Sequence, residues 1–584
     1  MQLKRPLCVA VLLLCTGLFL VQLTGQKMAE ALPKEKEQIS LGGRLMQKEE
    51  KNGHLLLYLQ QVQILSGAVA ADASNTNNKN SNSKMGAVCY LQEGSLVQAP
   101  PLGSRVVVCG RVMYFAHAEN EGQFDARAYY ASLGYDFQLT NAELLKVSRE
   151  ADRLAEELFR LREDAKAFFK AYMREENAGI LSAMVLGEKS ALDSDIRMLF
   201  QRNGIAHILA ISGLHISLLG MGFYRLLRKC FLPICGAGVG MLLLYGKMVG
   251  MGSSVFRACG MCMILLFAQL LGRSYDLLTA MAVTALLLVL QKPDSVQQAG
   301  FLLSYGAVLG LTLFLPVFQT EAEYRIQKIL QEKLLPGIGI LLVTLPVQLW
   351  FFYELPVYAM LLNLLVIPLM SVLLPVAIFA YLLRFPLLLQ IPEYILTFYR
   401  WLCIKAEGLP GSIQIFGRPR IWQMIVYYLL LFFSLVLLYH SKNRNKQEKQ
   451  REKQQENREC QITGENAEQD RRKTGKNRIR KNKRDSKRIG IILIIVSICL
   501  LILPPHTENR ITMLSIGQGD CILLQEKGGH VFLVDGGSSD VKEAGKYRLI
   551  PYLKYHGIRY IDGIFISHAH EDHYSASLEL LQSS

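Results

Sequence analysis

The chain has 584 residues, 51% of them hydrophobic, and a mean hydropathy of +0.22; this excludes a single small domain and an ordinary soluble protein, and leaves a membrane protein with attached domains. The formal charge of +15 excludes a uniformly basic surface of the kind that grips nucleic acid, because positions 441–488 hold 18 Lys and Arg against 8 Asp and Glu, or +10 of the total. A basic tract between two apolar runs marks a cytoplasmic loop.

In chain order, Lys4-Arg5 and the apolar run after it read as an N-terminal membrane anchor over 1–24 that exports the next stretch of chain. Residues 25–145 turn polar, with strand-like runs at His54–Val62, Ala87–Leu91 and Arg105–Met113 that predict a small antiparallel barrel outside the membrane. Asn75–Lys84, nearly all Asn, Ser and Lys, reads as a disordered loop between strands. From Asn141 to about Glu176 the spacing of Leu144, Leu145, Val147, Leu154, Leu158, Leu161, Phe168 and Phe169 predicts an amphipathic helix. It lies on the membrane or packs on the barrel, and most of it belongs to an amphipathic helical connector, 146–203. Asp193 or Ser194 caps a further short helix, which Gly204 closes.

Residues 204–440 hold apolar spans near 205–224, 231–250, 255–271, 277–291, 299–318, 335–353, 357–383 and 421–439, with 386–404 as a doubtful ninth. A barrel outside and a basic linker, 441–488, inside require an odd number of crossings, so either 386–404 crosses or another span is re-entrant. A last run, 489–504, is at the short limit for crossing and would place 505–584 outside the cell. The fold class expected is therefore a polytopic α-helical membrane protein with an N-terminal extracellular β-barrel and a C-terminal α/β segment.

Most of the 12 cysteines lie in or beside apolar runs, where a thiol packs as a small hydrophobe; Cys259-x-x-Cys262 falls inside one of them. Cys89 and Cys109 lie in the polar exported region and form a candidate disulfide pair. The densest chemical signal is His568-Ala569-His570-Glu571-Asp572-His573, directly after the apolar run Ile564-Phe565-Ile566. Imidazoles at i, i+2 and i+5 with a carboxylate at i+4, in the loop after a strand, offer nitrogen and oxygen donors to one or two Zn2+ ions. Intramembrane polar residues are the second signal. His215 is costly in an apolar span without a partner, and Ser212, Ser217, Ser304, Tyr305, Gln348 and Asn363 supply further polar groups at membrane depth. They line a pore, or the serines bond their own helices and His215 bridges helices structurally.

These residues resemble, in order, the DNA internalisation-related competence proteins of the ComEC family. Ala118 to Asp125 with Tyr129-Tyr130 and Gly134 resembles the pattern closing that family's OB-like domain, with Glu121 in place of the usual Pro. Ile211-Ser212-Gly213-Leu214-His215-Ile216 is similar to the Ser-Gly-Leu-His signature of its transmembrane competence domain. Ser254, Arg257-Ala258, Gly272-Arg273, Gly300 to Ala307 and Asn363 to Pro368 come after it in the family's order. Gly517-x-Gly519-Asp520, Leu533-Val534-Asp535-Gly536-Gly537 and Ser567 to His573 resemble the opening of a metallo-beta-lactamase fold, with Ser575-Ala576 where the family often has Gly-Gly.

The resemblance implies a channel for single-stranded transforming DNA, with Ser212, His215, Arg257, Ser304 and Asn363 as channel residues. Tyr114, Phe115, Tyr129 and Tyr130 with Arg111 and Arg127 are either stacking contacts of the OB-like barrel or ordinary core and surface residues. It assigns His568 and His570 to one zinc, Asp572 and His573 to the other, Asp572 to catalysis, and Asp535 to support of the loop from behind. Such zinc-activated water suits degradation of the strand that is not imported. His573 lies eleven residues before Ser584, and the fold's later histidines and acidic bridge come from downstream strands, so an incomplete domain with two protein ligands per metal is expected. The sequence carries no Gly-x-x-x-x-Gly-Lys-Ser/Thr loop, so a separate ATP-driven motor or helicase is implied, together with a DNA receptor. The rival reading is a membrane-tethered metal-dependent hydrolase or nuclease whose helices only anchor it.

Overall fold

Alternation of buried and exposed side chains along Arg105–Met113 is what a strand with one face on a core requires, and the same period recurs in the first part of Gln38–Lys51. The structure, a computed structural model, describes residues 8, 10–11, 13–18, 32–51, 53–65, 85–92, 99–213, 215–218, 220, 234–319, 324–459, 487–503 and 508–583. Most of the expected anchor, the Asn75–Lys84 loop, the ends of the spans at 205–224 and 231–250, and positions 460–486 of the basic linker lie outside the described residues. The chain divides into two compact units, one of Leu7–Phe301 with Pro356–Ile413, the other chiefly of Leu302–Leu355 with Gln414–Ser584.

In the first unit, β1 (Gln38–Lys51), β2 (His54–Leu65), β3 (Gly86–Leu91), β4 (Arg105–Met113) and β5 (Phe137–Val147) close a barrel in the order β1-β2-β3-β5-β4. It is not wholly antiparallel, because β3 runs parallel to β5, with Ala87 opposite Phe137. Leu41, Leu57, Leu59, Val106, Val108, Phe137 and Leu139 fill its interior. Leu144, Leu145 and Val147 belong to β5 and not to the expected helix. Pairing of Leu144 with Val108 and of Val147 with Val106 closes the barrel, and this tertiary demand outweighs an apolar spacing that suited a helix.

Cys89 and Cys109 are free thiols, which corrects the expected disulfide. Their strands, β3 and β4, both flank β5, and two strand spacings of about 4.8 Å exceed the roughly 7 Å between Cα atoms that a disulfide tolerates. Cys89 points into the core, and burial raises its thiol pKa. The motif from Ala118 to Gly134 is a loop leading into a helix with both ends fixed, Ala126–Leu133: Asp125 accepts the Ala128 N–H at 2.8 Å, and Gly134 ends the helix at φ +90°.

The connector consists of three helices. Arg153–Tyr172 and Ser194–Arg202 each bury one face, whereas Glu175–Leu186 buries every residue from Asn177 to Leu186. That middle helix is core, not a surface amphipath, and it packs in one cluster with Leu362, Val366, Met370 and Tyr399. Among the described residues five helices are long and apolar enough to cross a membrane: Ser253–Leu270, Ala299–Phe318, Gln331–Phe352, Ala359–Leu382 and Ile421–Arg444. Gly238–Val249 and Leu277–Gln291 are apolar but shorter. The doubtful span begins with a 3-10 turn, Pro386–Leu389, and continues as Gln390–Glu407, whose Glu393, Arg400, Lys405 and Glu407 set it apart from the five.

In the second unit Ile421–Glu459 runs on without a break past position 440. The helix at 487–501 packs against it, with Ser434 donating to the Gly490 carbonyl at 2.7 Å and Gln423 to that of Leu500 at 3.0 Å. Two three-residue strands, β6 (Glu354–Pro356) and β7 (Ile413–Ile415), follow and precede membrane helices. The C-terminal segment forms a four-stranded sheet of β8 (Arg510–Met513), β9 (Cys521–Gln525), β10 (Val531–Asp535) and β11 (Gly563–Phe565) in the order β11-β10-β9-β8, with helices Ile550–Tyr555 and Glu571–Ser583.

Between connector and turn, Arg162 pairs with Glu188 at 3.1 Å, both side chains at most 10% exposed. Removing one partner strands a buried charge, so Arg162→Ala is expected to destabilise the first unit by about 3–5 kcal/mol. The double variant Arg162→Ala/Glu188→Ala should cost less than the sum of the two single changes, as read by denaturation of the detergent-solubilised protein.

Candidate metal centre and buried polar cluster

Asp535 ends β10 with φ +56°, a conformation rare outside glycine, and the chain turns at once through Gly536 and Gly537. The turn aims the Asp535 carboxylate across at the loop after β11. Oδ1 accepts the Ser567 N–H at 2.7 Å, Oδ2 accepts the Ser567 hydroxyl at 2.9 Å, and His573 Nδ1 lies 3.1 Å from Oδ2. Burial alone would raise the Asp535 pKa; the bonds from Ser567 and His573 outweigh it and hold the carboxyl below its ordinary range. The Asp535 bond in turn raises the pKa of His573.

Three loops converge here because glycine lets backbones touch. A Cβ on Gly519, at φ +157°, would collide with the carbonyl oxygens of Gly537 and Asp572, and one on Gly537 with the Glu571 carbonyl and the His573 nitrogen. The close approach carries Asp520 to the site, its N–H donating to the Asp572 carbonyl and its own carbonyl accepting from Gly537 N–H, each at 3.3 Å. One donor atom each from Asp520, Asp535 and His573 lies within 4.8 Å of the others. Donors at about 2.0–2.2 Å from one Zn2+ lie no more than about 4.4 Å apart, so the three are close to a spacing that a single ion spans.

The remaining expected ligands stand around this group. The His568 ring lies 3.9 Å from that of His573 and 4.8 Å from that of His570, and Asp572 Oδ2 is 3.6 Å from His573 Nε2. His568 and His570 are exposed. Imidazole and carboxylate donors are a set that zinc accepts, so the residues fit the expected metal. Besides reaching the loop after β11, the Asp535 carboxylate falls within this group of candidate donors. Asp520 is a ligand candidate that sequence reasoning misses, although its Gly-x-Gly-Asp setting signals it.

In the first unit the structure brings Ser212, His215 and Arg257 together. His215 is 1% exposed; Nδ1 accepts the Ser212 N–H at 3.1 Å and lies 2.8 Å from its hydroxyl. With Nδ1 accepting, the ring proton sits on Nε2, which is buried and has no hydrogen-bond partner among the described residues. Gly213 makes room for Arg257, whose Nη2 lies 3.1 Å from where a Cβ on Gly213 would stand. Asn363, on helix Ala359–Leu382, has a buried Oδ1 with no hydrogen-bond partner among the described residues, and Ser304 belongs to the other unit. In the barrel, Phe115 is buried and stacks on Tyr130 at 4.1 Å, and Tyr114 bonds the Pro33 carbonyl. Tyr129 is about half exposed and faces the exposed Phe124 at 5.4 Å.

Comparison with known proteins agrees with this division. Residues 184–441 match the model of the Competence protein family, and residues 514–584 that of the metallo-beta-lactamase superfamily. The stretch from 184 to 441 thus belongs to the competence proteins, and the C-terminal stretch carries a metallo-beta-lactamase superfamily segment. The chain is similar to ComE operon protein 3 of Bacillus subtilis, 22% identical over 489 residues, 80% of this chain and 57% of that protein. It is also similar to Recombination protein 2 of Haemophilus influenzae, 25% identical over 502 residues, 80% of this chain and 59% of that one. A protein of Aquifex aeolicus named only as uncharacterized is 27% identical over 206 residues, 34% of this chain and 49% of that one. The chain therefore spans less than two thirds of the length of these relatives. No solved structure matches it. With the apolar helices, these likenesses make it a multi-pass membrane protein.

Gly519→Ala is expected to push Asp520 off the site and to lower zinc affinity by about 10- to 100-fold, the range seen when support of a ligand is lost. Asp535→Asn should act in the same direction, and zinc titration of the purified protein against a chelating indicator reads both.

Proposed function

We propose that this protein acts in DNA uptake. Residues 204–440 pass a single strand across the cell membrane, and residues 505–584, outside the cell, hold zinc for hydrolysis of the strand that is left behind. The observation that carries the first part is the Ser212–His215–Arg257 cluster, a polar, partly unsatisfied group buried in a stretch matched to the competence proteins. A mere anchor has no use for an imidazole and a guanidinium at such a position, which disfavours the tethered-hydrolase reading. His215 is closed off in this conformation, so passage requires the surrounding helices to part. The basic tract at 441–488 then lies inside, and the barrel, with its exposed Phe124 and Tyr129, outside, where bases stack on aromatic rings.

In the C-terminal segment His568, His570, Asp572 and His573, with Asp520 and Asp535, are the groups that would hold zinc. When bound, zinc supplies a water of pKa near about 7 and stabilises phosphodiester oxygens. This chain's own contribution is to orient the donors: Asp535 fixes the His573 ring through Nδ1, and Ser567 fixes Asp535. Asp572, within reach of His573 Nε2 and partly exposed, is the carboxylate placed to handle a proton there. Work against the gradient is assigned to a separate ATP-driven motor or helicase, and capture of duplex to a DNA receptor.

Uptake of end-labelled DNA by competent cells separates the readings. His215→Ala should abolish internalised label while membrane insertion is unchanged, and His568→Ala should leave uptake of an already single-stranded substrate intact while halting degradation of the other strand. Loss with His568→Ala alone would instead establish the tethered hydrolase, and normal transformation by a null strain would assign the helices to another solute.

A further inference from the structure

Helix Ile550–Tyr555 and the turn after it carry aromatic and charged side chains that the metal cluster does not use. Arg418 lies between two rings, its Cζ 3.6 Å from the Trp350 centroid and 5.5 Å from that of Tyr555. It also donates its backbone N–H to the Tyr555 carbonyl at 2.9 Å and Nη1 to the Tyr555 hydroxyl at 3.5 Å. Tyr555 meets Tyr353 edge to face at 5.4 Å. Beside the stack, Lys554 Nζ pairs with Glu354 Oε2 at 2.7 Å, the glutamate side chain 7% exposed, and Arg559 Nε donates to the Ile415 carbonyl at 2.7 Å. Gly417 and Gly557, both at positive φ, bring the backbones together: a Cβ on Gly417 would stand 2.9 Å from the Gly557 nitrogen. All these residues belong to one unit.

Trp350 and Tyr353 sit at the end of helix Arg325–Phe352, and Arg418 immediately precedes helix Ile421–Glu459. On the other side, Gly545–Leu549 leads directly into Ile550–Tyr555, and Lys546 donates its N–H to Glu579 Oε2 at 2.9 Å. Glu579 lies on helix Glu571–Ser583, whose first turn holds Asp572 and His573. A guanidinium over the Trp350 ring and near that of Tyr555, and a buried carboxylate paired with a lysine, are contacts that give a defined geometry, since their loss leaves charges without compensation.

We propose that the Trp350–Arg418–Tyr555 stack and the Glu354–Lys554 pair form a docking face that fixes the metal-bearing segment on the ends of the two membrane helices. The segment does not swing on a tether; its zinc site is presented at one place on the membrane bundle. The consequence for DNA, that the discarded strand is cut where the helices end, rests on the function proposed above, whereas the docking itself does not.

Hydrogen exchange of the full chain in detergent, without metal or DNA, tests the docking. Glu354→Lys and Lys554→Glu should each raise exchange across 550–559 and 571–583 by at least about tenfold, and the double variant Glu354→Lys/Lys554→Glu should return it close to wild type. Arg418→Lys, which keeps the charge and loses the stacking plane, should also speed exchange. Unchanged exchange in the single variants, or a double variant as fast as either, overturns the proposal. Zinc content and strand degradation measured on the same preparations read the metal assignment, so failure of the hydrolase reading is seen separately.

Discussion

A polar atom inside an apolar helix bundle has no water to turn to, and most of this protein's membrane stretch is arranged around that constraint. Tyr399 donates its hydroxyl to the Val366 carbonyl, Tyr427 to that of Leu342, Tyr245 to that of Val185, and Thr344 to that of Ile340, each hydroxyl finding a main-chain oxygen on its own or a neighbouring helix. These bonds fix the helices in register with one another at little cost in apolar packing. Against that background His215 Nε2 and Asn363 Oδ1 are among the buried polar atoms that have no hydrogen-bond partner among the described residues. A buried donor or acceptor without a partner costs about 1–3 kcal/mol, and functional sites are where such a cost is tolerated.

The C-terminal segment solves a different problem, that of bringing three loops close enough for donor atoms of Asp520, Asp535 and His573 to lie within 4.8 Å of one another. Glycine at 519 and 537 removes the only atoms that would hold the backbones apart, and Asp535 then ties the loop of β10 to the loop after β11 through Ser567 and His573. Oriented donors of this kind hold a ligating imidazole in one tautomer and one ring direction. The same segment turns its other side, with Tyr555, Lys554 and Arg559, toward the ends of membrane helices, so that one small α/β unit joins a metal cluster to an aromatic and ionic face.

Much of this is legible in residue order. The strand Arg105–Met113 shows itself by alternation, Gly86–Leu91 as a short apolar run, the membrane helices by length and apolarity, and the histidine loop by spacing. Leu144, Leu145 and Val147 mislead because three apolar residues fit a helical period as well as a strand, and only the vacancy beside Val106 and Val108 decides between them. The disulfide fails for a related reason: cysteine count and compartment say nothing of which strands are neighbours. Glu175–Leu186 falls within a connector expected to be amphipathic, yet its middle is buried on all sides by residues far along the chain.

What the sequence determined alone is whatever depends on local period and composition: a barrel of short strands, a series of apolar helices, a basic tract between two of them, and a strand followed by a loop dense in histidine. What only the tertiary structure decided are the relations between distant residues. They include the parallel pairing of β3 with β5, the entry of Asp520 into the donor group, the seat of Arg257 over Gly213, and the stacking of Arg418 between Trp350 and Tyr555. Periodicity is a property of neighbours in the chain, whereas a ligand set or a cation held between two rings is a property of neighbours in space, and these become neighbours only when the core has formed.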